Sequence, residues 1–165
     1  MAEKKKNLST FDSFKLPNAD NIRIGIVVSE WNSAVTDNLK EGAVNTLKEH
    51  GILPKNIIIH SVPGSFELPT GAVMMLEADE NLDAIICLGS VIQGETRHFE
   101  FISQAVANGV MQVAIDYNTP VIFGVLTCDT MEQAEERAGG KYGNKGVEAA
   151  ISCLKMLLLE RKIRQ

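Results

Sequence analysis

Apolar and polar positions along the chain follow two different periods. Four apolar runs are short, rich in β-branched residues and bounded by turn residues, a pattern that predicts strands buried on both faces. They cover residues 22–29, 56–62, 83–92 and 120–128. Between and after these runs, apolar residues recur at helical spacing, which predicts amphipathic helices. The predicted helices cover residues 33–50, 65–78, 97–117, 130–138 and 147–161.

The alternation of strand and helix indicates the fold class. It predicts an α/β fold with a four-stranded parallel sheet, flanked by helices on both faces and joined by right-handed crossovers. No linker or internal repeat interrupts residues 22–165, so we expect a single domain there. Residues 1–21 are polar and lysine-rich and predict an N-terminal arm, with the rings of Phe11 and Phe14 as candidate docking points. Whether the N-terminal residues add a further strand to the sheet is left open at this point.

Two of the predicted helices are more apolar than a single packed stripe requires. In residues 97–117 and 147–161, apolar side chains cover most of the helix circumference. A helix of this kind is buried on several sides. In a small sheet domain this favours contacts between subunits, so we expect a homo-oligomer.

Composition and charge exclude several classes of function. The net charge of −5 and the pI near 5.2 argue against nucleic acid as the main partner. No apolar run approaches the ~20 residues that a membrane span needs, and we expect a cytoplasmic protein without a membrane partner. Cys87, Cys128 and Cys153 lie far apart in apolar segments and are expected to be buried thiols. No cluster has the ligand spacing of a metal site, so no metal is expected.

The candidate chemistry is concentrated in residues 87–101, where the third strand ends and the third helix begins. Glycines at the strand end, followed by Thr96 as a predicted N-cap, leave backbone donors free to hold a phosphate. His98 lies one step inside the helix, where an imidazole can transfer protons beside the same anion. The other strand ends bring aromatic, hydroxyl and carboxylate groups to the same edge of the sheet, which suits a flat heterocycle.

A second glycine-rich segment, residues 139–146, looks like a phosphate loop but follows a helix rather than a strand. Phosphate loops of the P-loop type open from a strand. We therefore favour a flexible or kinked junction between two helices over a phosphate site.

Four blocks of sequence resemble the lumazine synthase family. They are VPGSFELP, LGSVIQGETRHFEF, PVIFGVLT and ERAGGKYGNKG, in this order and spacing. The resemblance covers residues 22–158, nearly the whole chain apart from the arm. It implies a flavodoxin-like fold and a condensation that needs no cofactor. The implied substrates are 5-amino-6-(D-ribitylamino)uracil and 3,4-dihydroxy-2-butanone 4-phosphate, and the implied products are 6,7-dimethyl-8-ribityllumazine, phosphate and water.

The resemblance also implies an assembly. Members of the family form pentamers with active sites between adjacent subunits, and some close into icosahedral shells of sixty subunits. The short junction at residues 139–146 resembles the shell-forming members, so we favour a shell here. Two alternatives stay open: an archaeal-type riboflavin synthase, and a non-catalytic shell that only binds flavin or lumazine.

Individual site residues follow from the same resemblance. His98 matches the residue that transfers protons. The residues that match the pyrimidine and ribityl pocket are Trp31, Ser65, Phe66, Glu67, Ser90, Val91, Ile92, Phe123 and Lys145. The residues that match the phosphate site are Glu95, Thr96 and Arg137. Phe123 and Arg137 are expected to come from the neighbouring subunit. Gln93 and Arg97 occupy positions that vary in the family, and Arg97 either attracts phosphate or is solvated.

Overall fold

The computed structural model describes residue 7 and residues 9–164. Its sheet contains β1 (Ile24–Ser29), β2 (Ile57–Val62), β3 (Ala84–Ile92) and β4 (Val121–Cys128). All four strands are parallel, in the order β2-β1-β3-β4. The predicted four-stranded parallel sheet is therefore confirmed.

Five helices cover the two faces of this sheet. They are α1 (Ser33–Glu49), α2 (Leu68–Ala78), α3 (His98–Tyr117), α4 (Met131–Glu136) and α5 (Lys145–Ile163). One core cluster joins α1, α4 and α5 to one face, and the other joins α2 and α3 to the opposite face. Side chains alternate between these clusters along β3, because successive residues of a strand point to opposite faces. The three-layer α/β architecture follows from this alternation.

The glycine-rich segment departs from the expected helix junction. It forms a small antiparallel hairpin of β5 (Ala138–Gly140) and β6 (Gly143–Asn144). Gly139 and Gly143 have φ of 108° and 89°, a region that only glycine enters at little cost. Two such residues close together reverse the chain, so the segment folds back on itself and α5 begins directly after it. The expectation of a flexible or kinked helix junction is wrong.

The described part of the arm packs on its own chain. The Phe14 and Phe11 rings lie 5.1 Å and 6.0 Å from the His50 ring at the end of α1. Arg161 of α5 donates a hydrogen bond to the carbonyl of Pro17. Within residue 7 and residues 9–21 no strand is present, and the one regular element there is a 3₁₀ turn at Ala19–Asn21.

Apolar side chains of α3 and α5 remain exposed, as the sequence predicts for these two helices. They line a groove of about 670 Å³ that also includes the start of β4. The largest exposed apolar groups in it are Met111, Ile115, Met156, Leu159 and Ile163. In the described part of the chain, no helix is both long and apolar enough to span a bilayer.

Candidate active site

Trp31 and Glu67 stand side by side where β1 and β2 end. The chain after β1 still pairs with the chain after β2, because the Trp31 N–H donates to the Pro63 carbonyl at 3.1 Å. The indole of Trp31 is 66% exposed and lies against Gly64, where a Cβ would come within 2.5 Å of the ring. Glu67 Oε2 accepts a hydrogen bond from the Gly64 N–H at 3.0 Å. Gly64 thus brings an open aromatic face and a carboxylate together.

Phe66 lies on the same short segment, a 3₁₀ turn at Ser65–Glu67. Its ring is 55% exposed. The sequence predicts a helix from residue 65, but the regular α-helix begins only at Leu68, with Pro69 in its first turn. Because the turn precedes the helix, Phe66 and Glu67 are displayed at the edge of the sheet.

Three buried hydroxyls at this edge, those of Ser29, Ser65 and Ser90, have no hydrogen-bond partner among the described residues. Ser65 is 6% exposed and Ser90 is 4% exposed, and neither Oγ meets an acceptor or a donor there. The Ser65 Oγ faces Gly89 of β3, where a Cβ would lie 2.5 Å from it. A buried hydroxyl without a partner is costly, so these groups are suited to receive a polar ligand.

The sequence places Asn32 at this edge beside Trp31 but gives it no role, and the structure supplies one. Its Nδ2 donates to the Ser90 carbonyl at 3.1 Å and so joins the end of β1 to the end of β3. Asn32 has φ of 61°, in the left-handed region that asparagine tolerates better than most residues. The sequence signal for this role was the position of Asn32 directly after Trp31, the aromatic residue that follows β1. Val91 and Ile92, the last residues of β3, follow Ser90 and are half-buried.

The turn between β3 and α3 carries the predicted phosphate and proton-transfer residues. Glu95, Thr96 and His98 are all exposed. The Thr96 Oγ1 accepts a hydrogen bond from the His98 N–H at 3.3 Å, although Arg97 holds the cap position and α3 begins at His98. The Gln93 side chain donates to the Gly94 carbonyl at 2.7 Å and to the Thr96 carbonyl at 3.3 Å, and so braces the turn.

Arg97 is engaged elsewhere. Its Nη2 lies 3.1 Å from the Glu100 carboxylate, and its guanidinium lies over the Phe101 ring at 5.7 Å from the centroid. Both side chains of the ion pair are mostly exposed. Of the two readings of Arg97, this geometry favours a solvated surface cation.

A second group of charged residues lies at the start of α5. Arg137 Nη2 and Lys145 Nζ each lie 3.3 Å from the carboxylate of Glu148, whose side chain is only 12% exposed. Two cations therefore share one carboxylate, which leaves a positive excess at this site. Glu148 was missed from the sequence, although its i,i+3 spacing from Lys145 on a helix was a usable signal.

Arg137 also lies near the carboxyl end of β4. Burial raises the pKa of the Cys128 thiol, and the charge of Arg137 partly opposes that rise. Phe123 is different: it lies in the middle of β4, paired in register with Cys87, and is half-buried among residues that pack on α3. β4 is an edge strand of the sheet.

The structure thus forms two groups of predicted residues. One gathers Trp31, Ser65–Glu67 and Ser90 at the carboxyl ends of the strands, and the other gathers Arg137 and Lys145 around Glu148. Within the described residues, no hydrogen bond or ion pair joins the two groups. Throughout the part of the chain that the structure describes, no cluster of three or more histidine, cysteine or carboxylate side chains could hold a metal ion.

Comparison with known proteins extends these observations. The sequence model of the 6,7-dimethyl-8-ribityllumazine synthase family matches residues 21–161. The protein of that name from Cytophaga hutchinsonii is 56% identical over 157 residues, which is 95% of this chain and 98% of the relative. Its namesake from Parabacteroides distasonis is 50% identical with the same coverage, and that from Phocaeicola vulgatus is 47% identical over 165 residues, 100% of this chain and 98% of the relative. The chain therefore belongs to the 6,7-dimethyl-8-ribityllumazine synthase family.

Proposed function

We propose that this chain catalyses the penultimate step of riboflavin biosynthesis at the carboxyl edge of its sheet. The reaction condenses 5-amino-6-(D-ribitylamino)uracil with 3,4-dihydroxy-2-butanone 4-phosphate to 6,7-dimethyl-8-ribityllumazine. The observation that carries the proposal is the open indole of Trp31 beside the Glu67 carboxylate, at the same sheet edge as the unpartnered Ser65 and Ser90 hydroxyls. A flat heterocycle with a polyol chain fits this combination of ring and acceptors.

In this proposal the pyrimidine stacks on Trp31. Glu67 accepts a hydrogen bond from a ribityl hydroxyl, and the turn around Ser65 and Phe66 holds the rest of the chain. Ser90, Val91 and Ile92 meet the pyrimidine through the end of β3. Stacking and hydrogen bonding fix the amine in position for attack, and orientation alone removes a large part of the barrier of a two-substrate reaction.

The phosphate of the second substrate binds at the turn before α3. Backbone N–H groups at Glu95 and Thr96 precede a 20-residue helix, whose N-terminal end favours an anion. The Glu95 side chain points away from the phosphate in this arrangement. Arg137 supplies the cation that completes the site, and Lys145 contacts the heterocycle.

His98 transfers protons while the amine of the pyrimidine and the ketone form a Schiff base. An imidazole exchanges protons near neutral pH, and the exposed position of His98 leaves it accessible to both substrates. Elimination of phosphate then builds negative charge, which the helix N-terminus and Arg137 stabilise. Ring closure follows between groups that are already oriented.

We further propose that Phe123, Arg137 and Lys145 act on the site of a neighbouring subunit. This is supported by the absence, among the described residues, of any hydrogen bond or ion pair between Arg137 or Lys145 and the Trp31 group, and by the position of Phe123 on an edge strand. The exposed apolar groove between α3 and α5 provides a surface for such a neighbour. The proposed assembly is a pentamer, and twelve pentamers close into a shell. Its location is the cytoplasm, in keeping with three free, buried cysteines.

The activity is tested by supplying the purified protein with both substrates and following lumazine fluorescence together with phosphate release. We expect both products to appear in equal amounts. A riboflavin synthase would instead convert lumazine alone to riboflavin, and a shell that only binds ligand would give no turnover. The family match and the named relatives favour the synthase. Analytical ultracentrifugation tests the shell, and a single species of pentamer size would overturn it.

A further inference from the structure

Asn144 lies immediately before α5 and joins its own hairpin to three other parts of the chain: α5, α1 and the N-terminal arm. Its Oδ1 caps the helix by accepting hydrogen bonds from the N–H groups of Gly146 at 2.8 Å and Val147 at 3.3 Å. Its Nδ2 donates to the Asn38 carbonyl of α1 at 3.0 Å. Its backbone N–H donates to Ser9 Oγ at 2.7 Å, and the Ser9 hydroxyl donates back to the Asn144 carbonyl at 3.2 Å. The side chain and the backbone of Asn144 are therefore both fixed.

Two glycines allow this close approach. At Gly42 of α1, a Cβ would lie 2.7 Å from the Asn144 amide, so the side chain fits only against a bare helix backbone. At Gly143, a Cβ would collide with the arm at Ser9. The arm and α1 thus hold the hairpin from two sides. Contacts this tight leave little room for Asn144 to move without breaking its hydrogen bonds.

The residues beside Asn144 carry the charged cluster. Lys145 is the next residue in the chain, and its N–H donates to the Arg137 carbonyl at 2.8 Å. Glu148, one turn further, holds the side chains of both cations. A displacement of Asn144 therefore shifts the first turn of α5, and through Glu148 it shifts the Arg137 guanidinium.

We propose that Ser9 of the N-terminal arm and Asn144 of the hairpin are positioning residues. Their hydrogen bonds form a clamp by which the arm holds the start of α5. The clamp sets the place of the Arg137 guanidinium, which receives the phosphate of the substrate. This inference rests on the proposed function, because it assigns the clamp to the phosphate end of that reaction. It gives residue 9 of the arm a role in substrate affinity rather than in stability alone.

The test compares Ser9→Ala and Asn144→Ala in the full-length assembled protein. Each change removes hydrogen bonds of the clamp and leaves every proposed substrate contact in place. We expect KM for the phosphoketone, and the inhibition constant of inorganic phosphate, to rise about five-fold, the effect of one net hydrogen bond. KM for the pyrimidine should change less than the phosphoketone KM.

Two further variants separate positioning from general damage. Thr10→Ala removes a neighbouring arm hydroxyl that, among the residues the structure describes, bonds only to the Asn7 carbonyl, so it should behave as wild type. Asn144→Asp keeps the Oδ1 acceptor for Gly146 and Val147 but loses the donor to the Asn38 carbonyl, so it should recover only the part of the phosphate affinity that depends on the helix cap. Sedimentation must show the same assembly for all variants, and a rise in KM that appears only with dissociation would overturn the inference.

Amide hydrogen exchange separates this inference from the proposed function. If the wild type makes no lumazine, the proposed function fails, while faster exchange at residues 144–147 in Ser9→Ala than in Thr10→Ala would still support the clamp. If the wild type turns over and Ser9→Ala matches Thr10→Ala in phosphate affinity, the positioning role is wrong, whatever the exchange rates show.

Discussion

At the scale of single residues, the candidate site depends on polar groups that the fold leaves unused. The Ser65 hydroxyl is buried beside Gly89 and has no partner among the described residues. Burying a hydroxyl without a partner costs about 1–3 kcal/mol, so a fold keeps such a group at a cost to its own stability. A ligand that supplies the missing hydrogen bond removes this cost.

The Ser65→Ala change is expected to affect stability and binding in opposite directions. It removes an unpartnered hydroxyl, so the melting temperature of the unliganded protein should stay the same or rise. Affinity for 5-amino-6-(D-ribitylamino)uracil should fall about five-fold, the equivalent of one hydrogen bond. Differential scanning calorimetry and titration calorimetry measure the two effects. Ser13→Ala in the exposed part of the arm is the control, and a loss of stability without a loss of affinity would contradict the assignment of Ser65.

One ion pair outside the site predicts a pH dependence of stability. Arg23 Nη2 lies 2.6 Å from the Asp79 carboxylate. The hydrogen bond from Arg23, followed by that from the Asn81 N–H, lowers the pKa of Asp79 below its ordinary value of 3.8. A carboxyl whose pKa is lower in the folded state contributes stability above the unfolded pKa, and loses it as pH falls through the folded pKa.

Asp79→Asn should therefore lower the free energy of unfolding at neutral pH. The difference from the wild type should begin to shrink as the pH falls through 3.8, because the unfolded wild-type chain then takes up the proton first. It should vanish only below the lower pKa of the folded state, where the folded carboxyl is protonated too and loses its ion pair. Urea unfolding at a series of pH values measures this difference. Asp12→Asn in the arm serves as a control, and a deficit that stayed constant down to low pH would show that the charge is not its cause.

At the scale of elements, local pattern predicted the strands and most helix ends. The four apolar runs became four strands within one or two residues. β1 and β3 are buried on both faces almost throughout, as an apolar run predicts, but β2 lies at the edge of the sheet and exposes Ile59, His60 and Ser61, so the expected burial on both faces is wrong there. A threonine followed three residues later by glutamine is the sequence signature of a capping box, and at the start of α4 the Thr130 Oγ1 accepts a hydrogen bond from the Gln133 N–H at 3.3 Å. The Gln133 side chain, however, accepts from the Asp129 N–H rather than that of Thr130, so the capping box is shifted by one residue.

The hairpin of β5 and β6 was not predictable in the same way. Its strands are too short to show a period, and its glycines fit a flexible loop equally well. What stabilises it is tertiary: Ser9 lies 135 residues away in the sequence, and Asn38 of α1 lies 106 residues away. For Glu148, the pair with Lys145 could be read from the i,i+3 spacing, but the pair with Arg137 could not, because it depends on the fold of the hairpin between them.

Packing between α1 and α5 gives a prediction at this scale. Gly146 lies against the backbone of α1, and a Cβ there would overlap the Leu39 carbonyl oxygen. A backbone atom cannot rotate away as a side chain can, so the helices must separate. Gly146→Ala should lower the free energy of unfolding by about 1–3 kcal/mol. Gly94→Ala is the matched control, because a Cβ at Gly94 meets nothing within 4 Å. Chemical unfolding of both variants measures the difference, and equal stability would contradict the close contact.

At the scale of the whole molecule, two features favour an assembly of several chains: the exposed apolar surface, and the lack, among the residues that the structure describes, of a hydrogen bond or ion pair between the two groups of site residues. α3 and α5 expose apolar side chains along one continuous groove, which a second chain would cover. The sequence pattern predicted this surplus, since both helices are apolar around most of their circumference. The pattern did not predict how a neighbouring subunit would be oriented, because that orientation depends on the fit between the surfaces of two chains.

The proposed division of the site between two chains predicts complementation between two defective variants. His98→Ala should lose only part of the activity, because orientation of the substrates persists, and Arg137→Ala should lose affinity for the phosphoketone. If each site takes His98 from one subunit and Arg137 from the next, co-expression in equal amounts leaves about a quarter of the sites with both residues intact. Differently tagged chains, purified through both tags, should then exceed the mean activity of the two parent variants at low phosphoketone concentration. If both residues act within one chain, no mixed assembly contains an intact site, and the activity cannot rise above that mean.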